Sequence, residues 1–293
     1  MYNQILVPTD GSNVTEIAAE TAIGLAQQFD ATLHVVHILE LGGLPPGFED
    51  EVASELAHRG ERATQSLAEL ASEADVDVTA RVVEDGQPTH RAILAYAEEH
   101  DVDCIVVGTH GRNGFDRFVI GSVAEQTLRE SPVPVVTVHE ETVVDYPFET
   151  ILVPTDGSDC AQAAADHAIE LAEATGAALH VIHVVDPGVF WDEACPSSVL
   201  EALEDAGKQG LEQVIDRAKA ADISTIESSV LNGTPYDAIV EYAEISDVDC
   251  IVMGTHGRTG WRRQLLGSVT ERVIRLTDVP VIGVKDHEEV DES

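Results

Sequence analysis

The chain has 293 residues, 44% of them hydrophobic, with 16 basic against 54 acidic side chains for a net charge of −38. Such an apolar fraction excludes a disordered chain, and such a charge argues against nucleic acid or an anionic membrane as partner. No stretch approaches the roughly 18 apolar residues of a membrane span, and no basic-then-apolar signal segment opens the chain. A cytoplasmic setting is therefore expected.

The elements alternate. In the first half, β-branched runs predict strands near Gln4–Thr9, Thr32–Leu39, Asp77–Glu84, Cys104–Gly108 and Val133–His139. Helical patterns fall between them, near Thr15–Phe29, Asp50–Ala74, Pro88–Glu99 and Gly121–Glu130. The second half repeats the plan, with strands near Thr150–Thr155, Ala178–Val185, Ser224–Leu231, Cys250–Gly254 and Val279–Val284. Strands alternating with helices predict βαβ units and a parallel sheet.

The halves are copies. I-L-V-P-T-D-G-S occurs at Ile5–Ser12 and unchanged at Ile151–Ser158, and G-T-H-G-R followed by G-S occurs at Gly108–Ser122 and Gly254–Ser268. A period this long marks a duplicated domain. The expected organisation is a first domain over 1–140, a polar linker over 141–149, a second domain over 150–286 and an acidic tail over 287–293. The last strand of each half is apolar and needs cover, so an internal pseudo-dimer through these edges is expected. A homo-oligomer of whole chains is compatible with the sequence. Cys104, Cys160, Cys195 and Cys250 are scattered, which fits reduced thiols rather than disulfides or a metal site.

Two motifs carry chemistry. Gly108 ends an apolar strand, and Gly121-Ser122 opens a helix whose free N–H groups and dipole favour an anion. Glycines admit a phosphate close to the backbone, the Ser122 hydroxyl is a further donor, and Arg112 is a charge partner in the same loop. The block is neither a G-K-[ST] phosphate loop nor G-x-G-x-x-G, and spacing alone also allows a tight structural turn. Asp10 ends the first strand, where a carboxylate accepts from ribose hydroxyls or, equally, forms an N-cap or Asx-turn. His34-x-x-His37 and His180-x-x-His183 lie on strands, where a spacing of three puts the rings on opposite faces and argues against a metal pair.

V-P-T-D-G-S followed by G-x2-G-x9-G-S resembles the nucleotide-binding branch of the universal stress protein family, in tandem over essentially the whole chain. The resemblance implies an α/β fold of two doubly wound domains, Rossmann-like and similar to the adenine nucleotide alpha hydrolases. Each would be a five-stranded parallel sheet of order 3-2-1-4-5 with helices on both faces. It also implies one ATP per domain, with Mg2+ or Mn2+ carried on the phosphates and no dedicated metal cage. By the family pattern Asp10 and Asp156 hold ribose and adenine. Pro8, Thr9, Ile38 and Val107 line the first base pocket, and Pro154, Thr155, Val184 and Met253 the second. Gly108, Gly111, Gly121 and Ser122 hold the first phosphate chain, and Gly254, Gly257, Gly267 and Ser268 the second. His110, Arg112 and Val123 join the first site and His256, Arg258 and Val269 the second.

The expected role is a sensor or interaction module in a stress response that binds nucleotide without turning it over, since no general base or activated nucleophile accompanies the phosphates. The rivals are a slow ATPase or phosphotransferase using the same sites, and a structural dimer with vestigial sites. The acidic, lysine-poor composition resembles that of cytoplasmic proteins from salt-accumulating halophiles.

Overall fold

The computed structural model describes residues 1–40, 49–110, 120–144, 146–186, 197–257 and 266–286, with side chains undescribed at 49–51, 197, 199 and 200. The chain forms two compact units, Tyr2–Thr142 and Val143–Ser293.

In the first unit the order is β1 (Gln4–Pro8), α1 (Asn13–Phe29), β2 (Thr32–Leu39), α2 (Glu49–Glu73), β3 (Val78–Glu84), α3 (Thr89–Glu99), β4 (Cys104–Gly108), α4 (Ser122–Glu130) and β5 (Val135–Val138). The second unit runs β6 (Thr150–Pro154), α5 (Asp159–Thr175), β7 (Ala178–Val185), α6 (Ser197–Ala220), β8 (Ile226–Asn232), α7 (Pro235–Ile245), β9 (Cys250–Gly254), α8 (Ser268–Leu276) and β10 (Val281–Val284). Within each unit all strand pairs are parallel, in the order β3-β2-β1-β4-β5 and its counterpart β8-β7-β6-β9-β10. This is the doubly wound sheet implied by the resemblance. Helices α1 and α2 cover one face of the first sheet, and α3 and α4 the other; α5 and α6, then α7 and α8, repeat this in the second.

Central strands read as unbroken apolar runs because both faces are covered. Ile5, Leu6, Val7, Leu33, Val35, Ile105, Val106, Val135 and Val136 are all essentially inaccessible to solvent. The outer strands β3 and β8 differ, with exposed Ala80, Arg81, Glu84, Glu227 and Ser228. Charged side chains on such a strand discourage further edge pairing. Tyr2 and its repeat Phe148 are buried just before β1 and β6, so Phe148 serves the core although it falls in the stretch expected as a polar linker.

The central pair of strands is pinned at one end and open at the other. The Asp103 carboxylate accepts the backbone N–H groups of Asn3 (2.8 Å) and Gln4 (3.2 Å), and Asp249 accepts those of Glu149 and Thr150, both at 2.7 Å. β1 then pairs with β4 at only two positions, Ile5↔Cys104 and Leu6↔Ile105. Beyond them each chain bonds outward, Thr9 N–H to Val36 O (2.8 Å) and Thr109 N–H to Val138 O (2.8 Å). N–H groups two residues apart point the same way along a strand. Gln4 addresses the β4 side, so Pro8 sits where an N–H would have reached β4, and proline has none. Pro154 repeats this between β6 and β9, where only Ile151↔Cys250 and Leu152↔Ile251 pair. The result in each unit is a fork that opens toward the carboxyl ends of the strands.

Helix ends carry the acidity into the backbone. Asp30, Asp75, Asp101, Asp222 and Asp247 all adopt positive φ. At the C-cap of α1 Asp30 has φ 54°, whereas the equivalent C-cap of α5 is Gly176 with φ 77°.

Candidate functional site

Strand order reverses between β1 and β4, and between β6 and β9. That reversal is the crevice where open α/β sheets take ligands, and the fork places the T-D-G-S turn on one lip and the glycine loop on the other.

The first lip is tightly built. Thr9 is buried, with its hydroxyl 3.0 Å from that of Thr15 and accepting the Gly11 N–H at 3.1 Å. Asp10 Oδ1 accepts the Ser12 N–H at 2.9 Å, an Asx-turn, while Ser12 itself takes the N-cap position of α1. Gly11 has φ +78°, a conformation that admits glycine without strain. The second unit adds two bonds: the Ser158 hydroxyl donates to Asp156 Oδ1 at 2.6 Å, beside the Ser158 N–H at 2.9 Å, and accepts the Ala161 N–H at 3.3 Å. Asx-turn and ligand roles are compatible here, because the turn bonds described engage Oδ1 and hold the carboxylate at the crevice.

The opposite lip is closed by a backbone bond between its two ends, Gly121 N–H to Thr109 O at 2.6 Å and Gly267 N–H to Thr255 O at 2.8 Å. Gly121 and Gly267 are the N-cap residues of α4 and α8, and neither helix has a side-chain cap bond. The first N–H groups of these helices have no intrahelical acceptor, so they present donors and positive dipole at the crevice. Ser122 and Ser268 are exposed there, with Val123 and Val269 half-buried behind them. His110 and His256 follow the strand ends, each held through Nδ1 by the preceding threonine hydroxyl at 2.9 and 3.0 Å.

The two lips meet. A Cβ built on Gly257 would lie 2.8 Å from Asp156 Oδ2, so the missing side chain lets the carboxylate and the glycine loop come together. Gly111, Arg112 and Arg258 lie outside the described residues. The strand-borne residues expected to line the base pockets are apolar: Ile38, Val107, Pro154 and Met253 are buried, Pro8 and Val184 half-buried. Thr155 is buried like Thr9.

Gly108 and Gly254 have a role that spacing did not reveal. A Cβ on Gly108 would sit 2.5 Å from Val14 Cγ1, and one on Gly254 would sit 2.8–2.9 Å from the backbone and Cβ of Cys160. Their bare Cα atoms let the first turns of α1 and α5 lie against the ends of β4 and β9.

His37 and His183 are the residues the sequence undervalued. The His37 Nδ1 is 2.7 Å from Thr9 O, and His183 Nδ1 is 2.8 Å from Thr155 O. Each ring packs where Gly60 of α2 or Gly207 of α6 leaves room. They buttress the aspartate turn from below, and their signal was the repetition of H-x-x-H in both halves. His34, on the other face, bonds Tyr96 Oη (3.0 Å) and Gln4 Oε1 (2.7 Å). Burial also pushes the Cys104 and Cys250 thiols well up, so neither is a nucleophile. Among the described residues no group of three His, Cys, Asp or Glu side chains could hold a metal, and no helix is long and apolar enough to cross a membrane.

The signature described as the universal stress protein family matches this chain twice, over residues 1–139 and 147–285. A universal stress protein of Methanocaldococcus jannaschii is 41% identical over 141 residues, which covers 47% of this chain and 82% of that protein. A solved universal stress protein from Archaeoglobus fulgidus is 25% identical and superposes with a TM-score of 0.76, covering 98% of this chain and 99% of its own. Another solved universal stress protein, in complex with cAMP, is 33% identical over 47% of this chain and 98% of its own, with a TM-score of 0.40.

Proposed function

Because this chain belongs through both halves to the universal stress protein family, we propose that each half binds one adenine nucleotide, ATP with its divalent cation carried on the phosphates. Binding, rather than turnover, then serves a sensor or interaction module in a stress response. The observation that carries this reading is the meeting of Asp156 Oδ2 with the bare Cα of Gly257 beside an uncapped helix start. A carboxylate suited to ribose hydroxyls, donors suited to phosphate and apolar walls suited to a base lie around one crevice. Bound nucleotide supplies the signal; the residues supply its orientation. Asp10 and Asp156 take the sugar, and the first N–H groups of α4 and α8 with Ser122 and Ser268 take the phosphates. Pro8, Thr9, Ile38 and Val107 flank the base in the first half, and Pro154, Thr155, Val184 and Met253 in the second. The net charge of −38 supports a working environment of high ionic strength, where self-repulsion is screened.

The test is to denature protein purified in high KCl and identify released nucleotide by chromatography and mass spectrometry, then to titrate ATP with magnesium. Two ATP per chain is expected, falling to one in Asp10→Ala or Asp156→Ala and to none in the double variant. Metal-dependent loss of ATP over time would favour the hydrolase reading instead. A chain that neither carries nor binds adenine nucleotide overturns the proposal.

A further inference from the structure

The first unit has a pocket of about 300 Å3 between the start of α1 and the middle of α2, bordered by Gly11, Thr15, Glu16, Arg59, Arg62 and Ser66. The two arginines stand three residues apart on α2, so their side chains share a face. Among the described residues neither has an ion pair, in a chain where acidic side chains outnumber basic ones 54 to 16. One carboxylate, Glu16, borders the pocket, leaving an excess of positive charge against it. The Ser66 hydroxyl adds a neutral donor, while that of Thr15 is already donated to Ser12 O at 2.7 Å.

The duplication supplies an internal contrast. Gly60 packs on His37 as Gly207 packs on His183, which fixes the correspondence between α2 and α6. Ala206 and Gln209 therefore stand where Arg59 and Arg62 do. The positive pair belongs to the first half alone.

We propose that this pocket is a second anion site, taking a phosphate or pyrophosphate group, which the second half lacks. A forked guanidinium matches phosphate oxygens with two parallel bonds, and two of them suit a dianion or a pyrophosphate. The volume is at the low end of ligand pockets and admits a phosphate or pyrophosphate. The pocket shares Gly11 with the aspartate turn, so it adjoins the crevice of the first half. The inference does not rest on nucleotide binding, since it uses none of the glycine loop.

Sodium pyrophosphate is titrated calorimetrically into the whole chain in magnesium-free buffer, at the lowest KCl that keeps the protein folded. The proteins compared are wild type, Arg59→Ala/Arg62→Gln and Ala206→Arg/Gln209→Arg, each with and without saturating ATP. Both arginines are exposed, so the first variant is expected to fold like wild type, checked by its melting curve. Wild type should bind one more pyrophosphate than the first variant and one fewer than the second. Loss of either arginine alone should weaken that extra site by about tenfold or more. Persistence of the extra site under saturating ATP identifies a free anion as its ligand, and its displacement identifies a phosphate of the nucleotide itself. Identical stoichiometry and affinity in wild type and Arg59→Ala/Arg62→Gln overturns the inference, whatever ATP does.

Discussion

Gly108→Ala and Gly254→Ala make one chemical change at equivalent positions, yet the structure predicts unequal costs. The new Cβ at 108 meets Val14 Cγ1 at 2.5 Å, while the nearest backbone atom is 3.4 Å away. Val14 is 2% exposed in a helix, where a β-branched side chain has one strongly preferred χ1. Relief by a strained rotamer and slight repacking should cost about 1–2 kcal/mol. At 254 the obstacle is the Cys160 carbonyl carbon at 2.8 Å and its oxygen at 2.9 Å, main-chain atoms with no rotamer to change. The first turn of α5 must lift by about half an ångström to reach ordinary contact, and about 3 kcal/mol or more is expected. For a unit of this size each kcal/mol moves the melting temperature by roughly 2–4 °C. Calorimetric melts in high KCl should place Gly254→Ala below Gly108→Ala by several degrees. Backgrounds sharpen the comparison: Val14→Ala should abolish most of the cost at 108, whereas Cys160→Ala should leave most of it at 254. Equal melting temperatures, or full rescue by Cys160→Ala, would refute the assignment of these glycines to helix docking.

Asp30→Gly should stabilise the first unit by about 1 kcal/mol, because it removes a left-handed non-glycine residue and an anion from a helix C-terminus; Gly176→Asp should do the reverse in the second, both read from melting curves. Burial pushes the His167 pKa down from 6.5 to about 4. The unfolded chain therefore binds more protons than the folded one between these values, so stability is present above pH 6.5 and falls as pH drops toward 4. His167→Thr, which copies the equivalent Thr21, should remove about 3 kcal/mol of that acid-side loss, and parallel denaturation profiles of the two proteins would exclude it. Lowering KCl from about 1 M to about 0.1 M lengthens the screening distance from roughly 3 to 10 Å, so the melting temperature should drop steeply. A flat salt response would remove the halophilic reading.

The duplication, the alternation of strands and helices and the position of Asp10 and Asp156 at strand ends are legible because each depends on local pattern repeated twice, whereas the strand order came only with the family resemblance. The opposite-face reading of His34 and His37 followed from the strand period alone, and the two rings do bond to different faces. What escaped was tertiary. The bare Cα atoms of Gly108 and Gly254 accommodate a helix, which no spacing reports. Pro8 read as a pocket wall, and its missing N–H matters only once β4 is known to be its neighbour. Arg59 and Arg62 fall in the helix predicted near Asp50–Ala74, and no local pattern reports that α1 packs against it there.

The fork between β1 and β4 also bears on energetics of a different kind. Each arm is bonded to its outer neighbour, Thr9 to Val36 and Thr109 to Val138, so drawing the arms together would break sheet bonds on both sides. The carboxylate clamp at Asp103 fixes the hinge end, and Pro8 offers nothing to zip the gap from within. The crevice is thus open before anything enters it. A ligand incurs no strand rearrangement on arrival and recovers none on leaving, so the main-chain framework contributes preorganisation and leaves any conformational message to the segments that connect its strands.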